Sequence, residues 1–293
     1  MAINKNSNAY IIIYTIVMVV IVGALLAILA TSLKDRQEIE VQKEQKFSIM
    51  RALGVANEDS DKDEMVALFD DDNKGVTIYA VSGSEAAITE DTDEVFELLG
   101  NRKALREKEE SLPVFQYGDT YVIPMAGKGL WDDIWGFIAL QKTEDGTNYK
   151  VSGIVMDHKG ETPGLGAEIA TAAVQDKFIG MILFDAEGNI AVQMLKGGMT
   201  NKSAVEGSTV DAISGGTKTC DGVNKMIVTS VGKYVAFLKA QLGAAPEAES
   251  ETVTPADAVE GETPAEETVT EDTVAEDTVT EDENVESNND MEE

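Results

Sequence analysis

TYVIPMAGKGLWDDIWGFIALQKTEDGTNYKVSGIVM, residues 120–156, decides the fold class. Three runs in it, 121–125, 134–141 and 150–156, are rich in β-branched and aromatic residues and read as strands. The segment 127–131, Gly-Lys-Gly-Leu-Trp, lies between the first two. Downstream, two further apolar runs, 181–184 and 190–195, flank Asp-Ala-Glu-Gly-Asn at 185–189, a set of turn residues. Residues 168–178 read as a helix. Residues 223–242 read as a final helix, because Met226, Ile227, Val231, Tyr234, Val235 and Leu238 recur at spacings of three and four. Strands in series with helices beside them predict an α+β fold with an antiparallel sheet and flanking helices.

Upstream the pattern changes. Residues 89–99 and 102–110 look like short helical pieces, and the polar, acidic stretch 59–72 reads as loop. Residues 33–54 mix charges with Ile39, Val41, Phe47, Ile49, Met50 and Leu53 near helical spacing. Before them no charged residue occurs between Lys5 and Lys34, and 10–30 reads YIIIYTIVMVVIVGALLAILA. A bilayer core of about 30 Å needs roughly 20 apolar residues in a helix. This run is longer than the apolar segment of a cleaved signal peptide, roughly 7–15 residues. It therefore predicts one uncleaved transmembrane helix that continues outward as a charged helix.

The net charge of −31 is unevenly placed. Residues 246–293 hold 19 of the 54 acidic residues and none of the 23 basic ones, which leaves −12 for the rest. This charge argues against nucleic acid as a partner, since phosphate backbones need clustered Lys and Arg. The acidic segment repeats Glu-Asp-Thr-Val at 271–274 and 276–279 and has no aromatic residue. It is expected to be disordered, because it cannot bury enough surface to offset the entropy of ordering. One cysteine, Cys220, allows no intrachain disulfide and no iron–sulfur cluster held by this chain alone. With one histidine, His158, a transition-metal site is not expected.

Two motifs invite chemistry. The first is Asp211-Ala-Ile-Ser214-Gly215-Gly216-Thr217-Lys218-Thr219, a glycine turn opening onto the last helix. Glycines let backbone N–H groups approach a phosphate, and a helix N-terminus favours an anion. The plainer alternative is a helix N-cap by Ser or Thr. The second is His158-Lys-Gly-Glu161-Thr162-Pro-Gly164-Leu165-Gly166-Ala-Glu168, in plain terms a Pro/Gly loop leading into a helix. Trp131 and Gly129 stand either in a glycine turn with the indole in the core or at a site border. Lys196, before Gly197 and Gly198, is a weaker candidate.

The first motif resembles the flavinylation signature Asp-x-x-Ser/Thr-Gly-Ala/Ser-Thr of the FMN-binding domain family. Gly216 stands where Ala or Ser is usual. Glu-Thr-Pro-Gly-Leu-Gly at 161–166 matches the same family. The resemblance covers roughly 110–242. With the anchor and stem it extends to the family's members in two membrane complexes, the Na+-translocating NADH:quinone reductases and the Rnf ferredoxin:NAD+ oxidoreductases. Each of these has one such anchored flavin protein. The quinone reductase is preferred on chain length without the tail and on the leader.

This resemblance implies that FMN is joined covalently by a phosphoester bond to Thr217, made by a dedicated flavin transferase from FAD. Thr217 is then a cofactor anchor and no catalytic nucleophile. Asp211, Ser214, Gly215, Gly216, Lys218 and Thr219 would surround the attachment. Glu161, Thr162, Gly164, Leu165 and Gly166 would lie against the ring, with Leu165 as an apolar cover and Glu161 and Thr162 bonding its polar edge. Trp131, Gly129 and Lys196 would border it.

It also implies that the chain is an electron-transfer component, inactive alone, of a complex that oxidises NADH, reduces quinone and pumps Na+. Its partners would be the other subunits of that complex, the transferase and the inner membrane. Counting positive charges would put the large domain in the cytoplasm, because only Lys5 precedes the helix. The resemblance implies the reverse: a cytoplasmic leader at 1–9, a membrane helix at 10–32, a stem at 33–110, a periplasmic FMN-binding domain at 111–242 and the tail at 243–293. The alternatives are an Rnf-type flavin carrier, a carrier of an extracellular reductase, or a non-enzymatic anchored surface protein.

Overall fold

The computed structural model describes residues 8–196 and 207–243. The acidic tail beyond Gly243, residues 1–7 of the leader, Gly197, Gly198 and Ser203 lie outside the described residues. One helix, α1 (Asn8–Ala52), carries both the apolar run and the charged stretch, as its periodicity predicts. Asn8–Lys34 has a mean hydropathy of 3.0 and is long and apolar enough to cross a membrane. The helix ends where Gly54 adopts φ +73°, the left-handed stop that glycine supplies without a Cβ clash.

The segment read as loop at 59–72 contains a helix, α2 (Lys62–Phe69). Asp61 caps it, accepting from Glu64 N at 3.0 Å, and Asp63 and Glu64 favour its positive end. Lys43–Asp63 and Lys46–Asp70, both at 2.7 Å, and Lys62–Glu44 tie α2 to α1. Two strands follow, β1 (Thr77–Ser82) and β2 (Glu85–Ile88), then α3 (Thr92–Gly100) and α4 (Arg102–Glu107). After them come β3 (Leu112–Tyr117), β4 (Thr120–Lys128), β5 (Asp133–Lys142) and β6 (Tyr149–His158). All six strands form one antiparallel sheet in the order β2-β1-β3-β4-β5-β6. The strands at 77–88, inside the expected stem, thus belong to the same sheet as those at 112–158.

Alternation along the strands gives the sheet two buried faces. One holds Ile123, Ile138 and Leu140 against α6 (Thr217–Gly232) and α7 (Val235–Gly243). The other holds Phe115, Val122 and Phe137 against α1, α2 and α3. Between β5 and β6 the register jumps, so that Ala139 faces Gly153 and Leu140 faces Val151. Ser152 is the extra residue of this bulge. Gly153 is required there: a Cβ on it would lie 2.1 Å from the Ala52 carbonyl oxygen. The end of α1 sits directly on the sheet.

Three downstream readings need correction. Residues 168–178 are no single helix. A 3-10 turn (Gly166–Ala170), a short helix α5 (Ala172–Gln175) and a second 3-10 turn (Asp176–Phe178) follow each other. Thr171 is extended (ψ 145°) and breaks the run. The final helix begins six residues earlier than expected, at Thr217, and breaks after Gly232, a poor helix former. At the break the Lys233 ammonium donates to the carbonyls of Arg106 and Lys108, both at 2.7 Å. The runs flanking 185–189 meet only at the Phe184–Ile190 bridge. The second run instead gives β7 (Gln193–Leu195), parallel to β8 (Thr209–Asp211).

Candidate functional site

The two motifs and the 127–131 segment meet at one end of the sheet, around the N-terminus of α6. The parallel pair brings the chain there. Leu195 pairs with Asp211, and Ala212 N donates to Leu195 O at 2.7 Å, so exposed Lys196 begins beside this turn. Asn224 on α6 holds β7 in place, bonding Met194 through both its backbone N–H (2.7 Å) and carbonyl (2.8 Å). The turn closes with Gly216 N donating to Ile213 O at 3.0 Å. Gly215 adopts φ +75°, and Ile213 N donates to the buried Cys220 sulfur at 3.3 Å.

Thr217 is the first residue of α6 and is exposed, as are Asp211, Ser214, Gly215 and Lys218. No side chain caps this helix end. The first-turn N–H groups therefore lack intrahelical acceptors, an arrangement suited to an anion. The N-cap alternative fails here, because the cap position is Gly216. Lys218 turns outward and pairs with Asp221 at 3.5 Å. Thr219, two residues on, is buried.

The 161–166 loop packs directly on this turn. A Cβ on Gly215 would lie 2.6 Å from Leu165 Cδ2, and one on Gly166 would lie 2.3 Å from Thr219 Oγ1. Glu161 is only 4% exposed. One carboxylate oxygen accepts from the Thr219 hydroxyl at 2.6 Å, the other from Trp131 N at 2.9 Å. Burial alone would raise its pKa. The Thr219 hydroxyl and the N–H groups of Trp131, Asp132 and Leu130 outweigh that and hold it below the ordinary carboxylate value. Glycines make room for it, since a Cβ on Gly129 would lie 2.4 Å from its Oε1.

Trp131, at the tip of the β4–β5 hairpin, is 68% exposed, so the core placement allowed for it is wrong. Its indole N–H donates to Thr162 Oγ1 at 3.2 Å. Leu130 and Leu165 are also exposed, at 52% and 40%. Large apolar side chains facing solvent on rigid backbone read as a binding surface. His158 stays structural: its Nδ1 accepts from Glu161 N at 3.2 Å. Gly164, at φ +75°, is exposed and donates its N–H to Glu168 Oε1 at 3.1 Å.

Sequence reasoning missed the residues that brace this end. Gly222 lets α6 touch the hairpin, since a Cβ there would lie 2.4 Å from Lys128 O. It lay one residue before the helix read from the sequence at 223–242, so the pattern gave it no signal. Arg106 pairs with Asp133 at 2.6 Å and also bonds Gly127 O at 3.3 Å, and Lys128 reaches Asp133 at 2.8 Å. The Arg106 contacts join residues more than 20 apart in the chain, and no local pattern announces them, while Lys128 and Asp133 face each other across the β4–β5 hairpin.

The sheet, the exposed hydroxyl at an uncapped helix end and the apolar ledge beside it make up the candidate site. Residues 129–231 match the family model described as FMN-binding domain. Over most of its length the chain is similar to NqrC, one of the proteins of the Na+-translocating NADH-quinone reductase. It is 29% identical to that protein of Haemophilus ducreyi over 82% of this chain and 98% of the relative. It is 38% identical to the Pseudomonas aeruginosa protein over 41% of this chain and 45% of the relative. The crystal structure of the Parabacteroides distasonis protein superimposes with a TM-score of 0.54 at 27% identity, covering 69% of this chain and 94% of that one. The chain thus resembles proteins named as subunits of an oxidoreductase complex.

Proposed function

We propose that the chain carries one FMN joined by a phosphoester bond to Thr217 and passes electrons through it. It would do so within a membrane complex that oxidises NADH, reduces quinone and moves Na+. The observation that carries this reading is the Thr217 hydroxyl, exposed at the uncapped start of α6 beside an apolar ledge. In the attachment step a flavin transferase uses FAD. A bond forms from Thr217 Oγ to the FMN phosphorus, the pyrophosphate link to AMP breaks, AMP leaves and the hydroxyl proton is released.

The residues present fit the group. The first-turn N–H groups of α6 would face a phosphate held at Thr217, and exposed Lys196 would add positive charge nearby, whereas Lys218 turns outward to Asp221. Leu165, Leu130 and Trp131 offer an apolar seat for a ring, and Thr162 a polar contact at its edge. When bound, FMN supplies the redox chemistry; the chain tethers it, seats it and limits its access to water. The tether replaces binding energy, so the cofactor does not dissociate between turnovers. Asp211, exposed at the end of β8, is read as a recognition mark for the transferase.

The test is to produce the chain with a flavin transferase and measure its intact mass. One FMN adduct, a band fluorescent under ultraviolet light on a denaturing gel, and peptide mapping to Thr217 are expected. A mass equal to the bare chain would overturn the reading and favour an anchored surface protein.

A further inference from the structure

Glu161 stands out among the described residues as a charged side chain buried with both its oxygens committed. The Thr219 hydroxyl holds one and Trp131 N the other, with Leu130 and Asp132 N–H groups adding to the same cradle. Gly129 and Gly166 leave its oxygens the space they occupy. The carboxylate therefore has no free edge to offer a ligand. It instead joins three separate chain segments: the hairpin tip carrying Leu130 and Trp131, its own loop carrying Leu165, and the first turn of α6 carrying Thr217. It also engages the Thr219 hydroxyl, the nearest rival to Thr217 on that helix. An ion buried this way is costly to desolvate unless such bonds are made, so its presence calls for a role.

We propose that Glu161 is the positioning residue of the site: it touches no flavin, locks the ledge and the α6 terminus in one register, and lowers the flavin's reduction potential through its fixed negative charge. The proposal rests on the covalent-flavin reading above. Reduction of a flavin adds negative charge, and a carboxylate held in a low-dielectric surrounding opposes it. Thr219 donates into that carboxylate and partly offsets its charge. The two residues therefore pull the potential in opposite directions.

The experiment uses the full chain, flavinylated by a co-produced transferase, with two variants. Glu161→Gln keeps the shape and removes the charge. Thr219→Val keeps the charge and removes the donor. Both are expected to carry one FMN on Thr217 by peptide mapping. The midpoint potential should rise in Glu161→Gln and fall in Thr219→Val, relative to the unaltered chain. A merely structural role would leave both unchanged or move both the same way, and either result overturns the proposal. A folded Glu161→Gln chain that accepts no flavin supports the positioning role, and the sign in Thr219→Val then decides the effect of the charge. If Glu161→Gln does not fold, the sign in Thr219→Val alone decides. Absence of flavin from the unaltered chain would sink the underlying reading, a result distinct from a loaded chain with unmoved potentials.

Discussion

Thr217 and Thr219 are two residues apart, yet only one presents a hydroxyl. Thr217 is exposed; Thr219 is buried and bonded to Glu161. Thr217→Ala should abolish attached flavin and change stability by no more than about 0.5 kcal/mol, because exposed substitutions cost little. Peptide mapping checks it: an adduct on Thr219 or Ser214 would refute the assignment. Glu161 makes a second prediction through pH. Its pKa is held below the ordinary value, so its contribution is present above the unfolded pKa and lost as pH falls through the folded one. The melting temperature of the native chain should therefore exceed that of Glu161→Gln near neutrality, with the gap closing as pH drops below about 4.5. A gap independent of pH between about 3 and 7 would refute it.

At the scale of elements, the bulge at Ser152 and the bare Gly153 seat the end of α1 on β6. Gly153→Val must push the Ala52 carbonyl away. It should cost about 1–3 kcal/mol, the usual penalty of overpacking, seen as a lower melting temperature. A stability equal to the native chain would show that this contact is dispensable. The elements also show what a sequence discloses. The strands of 120–156 were legible because apolar alternation is local, and α1 because its apolar run is long. The helix α2 was hidden by its charge, although Asp61 and the acidic first turn are helix-start signals. The break at Thr171 and the parallel pairing of β7 with β8 depend on distant partners, and no local pattern carries them. At the site, glycines and hydroxyls were legible as a motif. That Glu161 turns inward was not, because its partners lie 30 and 58 residues away.

For the whole molecule, sidedness is the open consequence of the anchor. Charge counting and the proposed covalent flavin make opposite demands, and long domains cross membranes largely regardless of charge. With Thr217 flavinylated outside, the amino terminus belongs in the cytoplasm and residues 34–293 on the outer side. A cysteine placed by Ser287→Cys should react with a membrane-impermeant thiol reagent in cells with a permeable outer envelope. Labelling only after the inner membrane is broken would reverse the orientation and the route to the flavin.

The unbroken run of α1 from the apolar span to its seat at Ala52 has one more implication. A helix fixes azimuth as well as height, about 100° and 1.5 Å per residue. If α1 spans a membrane as proposed, the domain is keyed to a compass bearing above the bilayer, and a partner that exchanges electrons with a flavin on it would have to wait at that bearing. One alanine inserted between residues 36 and 40 should swing it away and lower electron transfer in the assembled complex. Seven alanines, nearly two full turns, restore the bearing while raising the domain by about 10 Å. A deeper loss from the seven-residue insertion would mean that height alone matters; a deeper loss from the single residue would show that the stalk is a pointer.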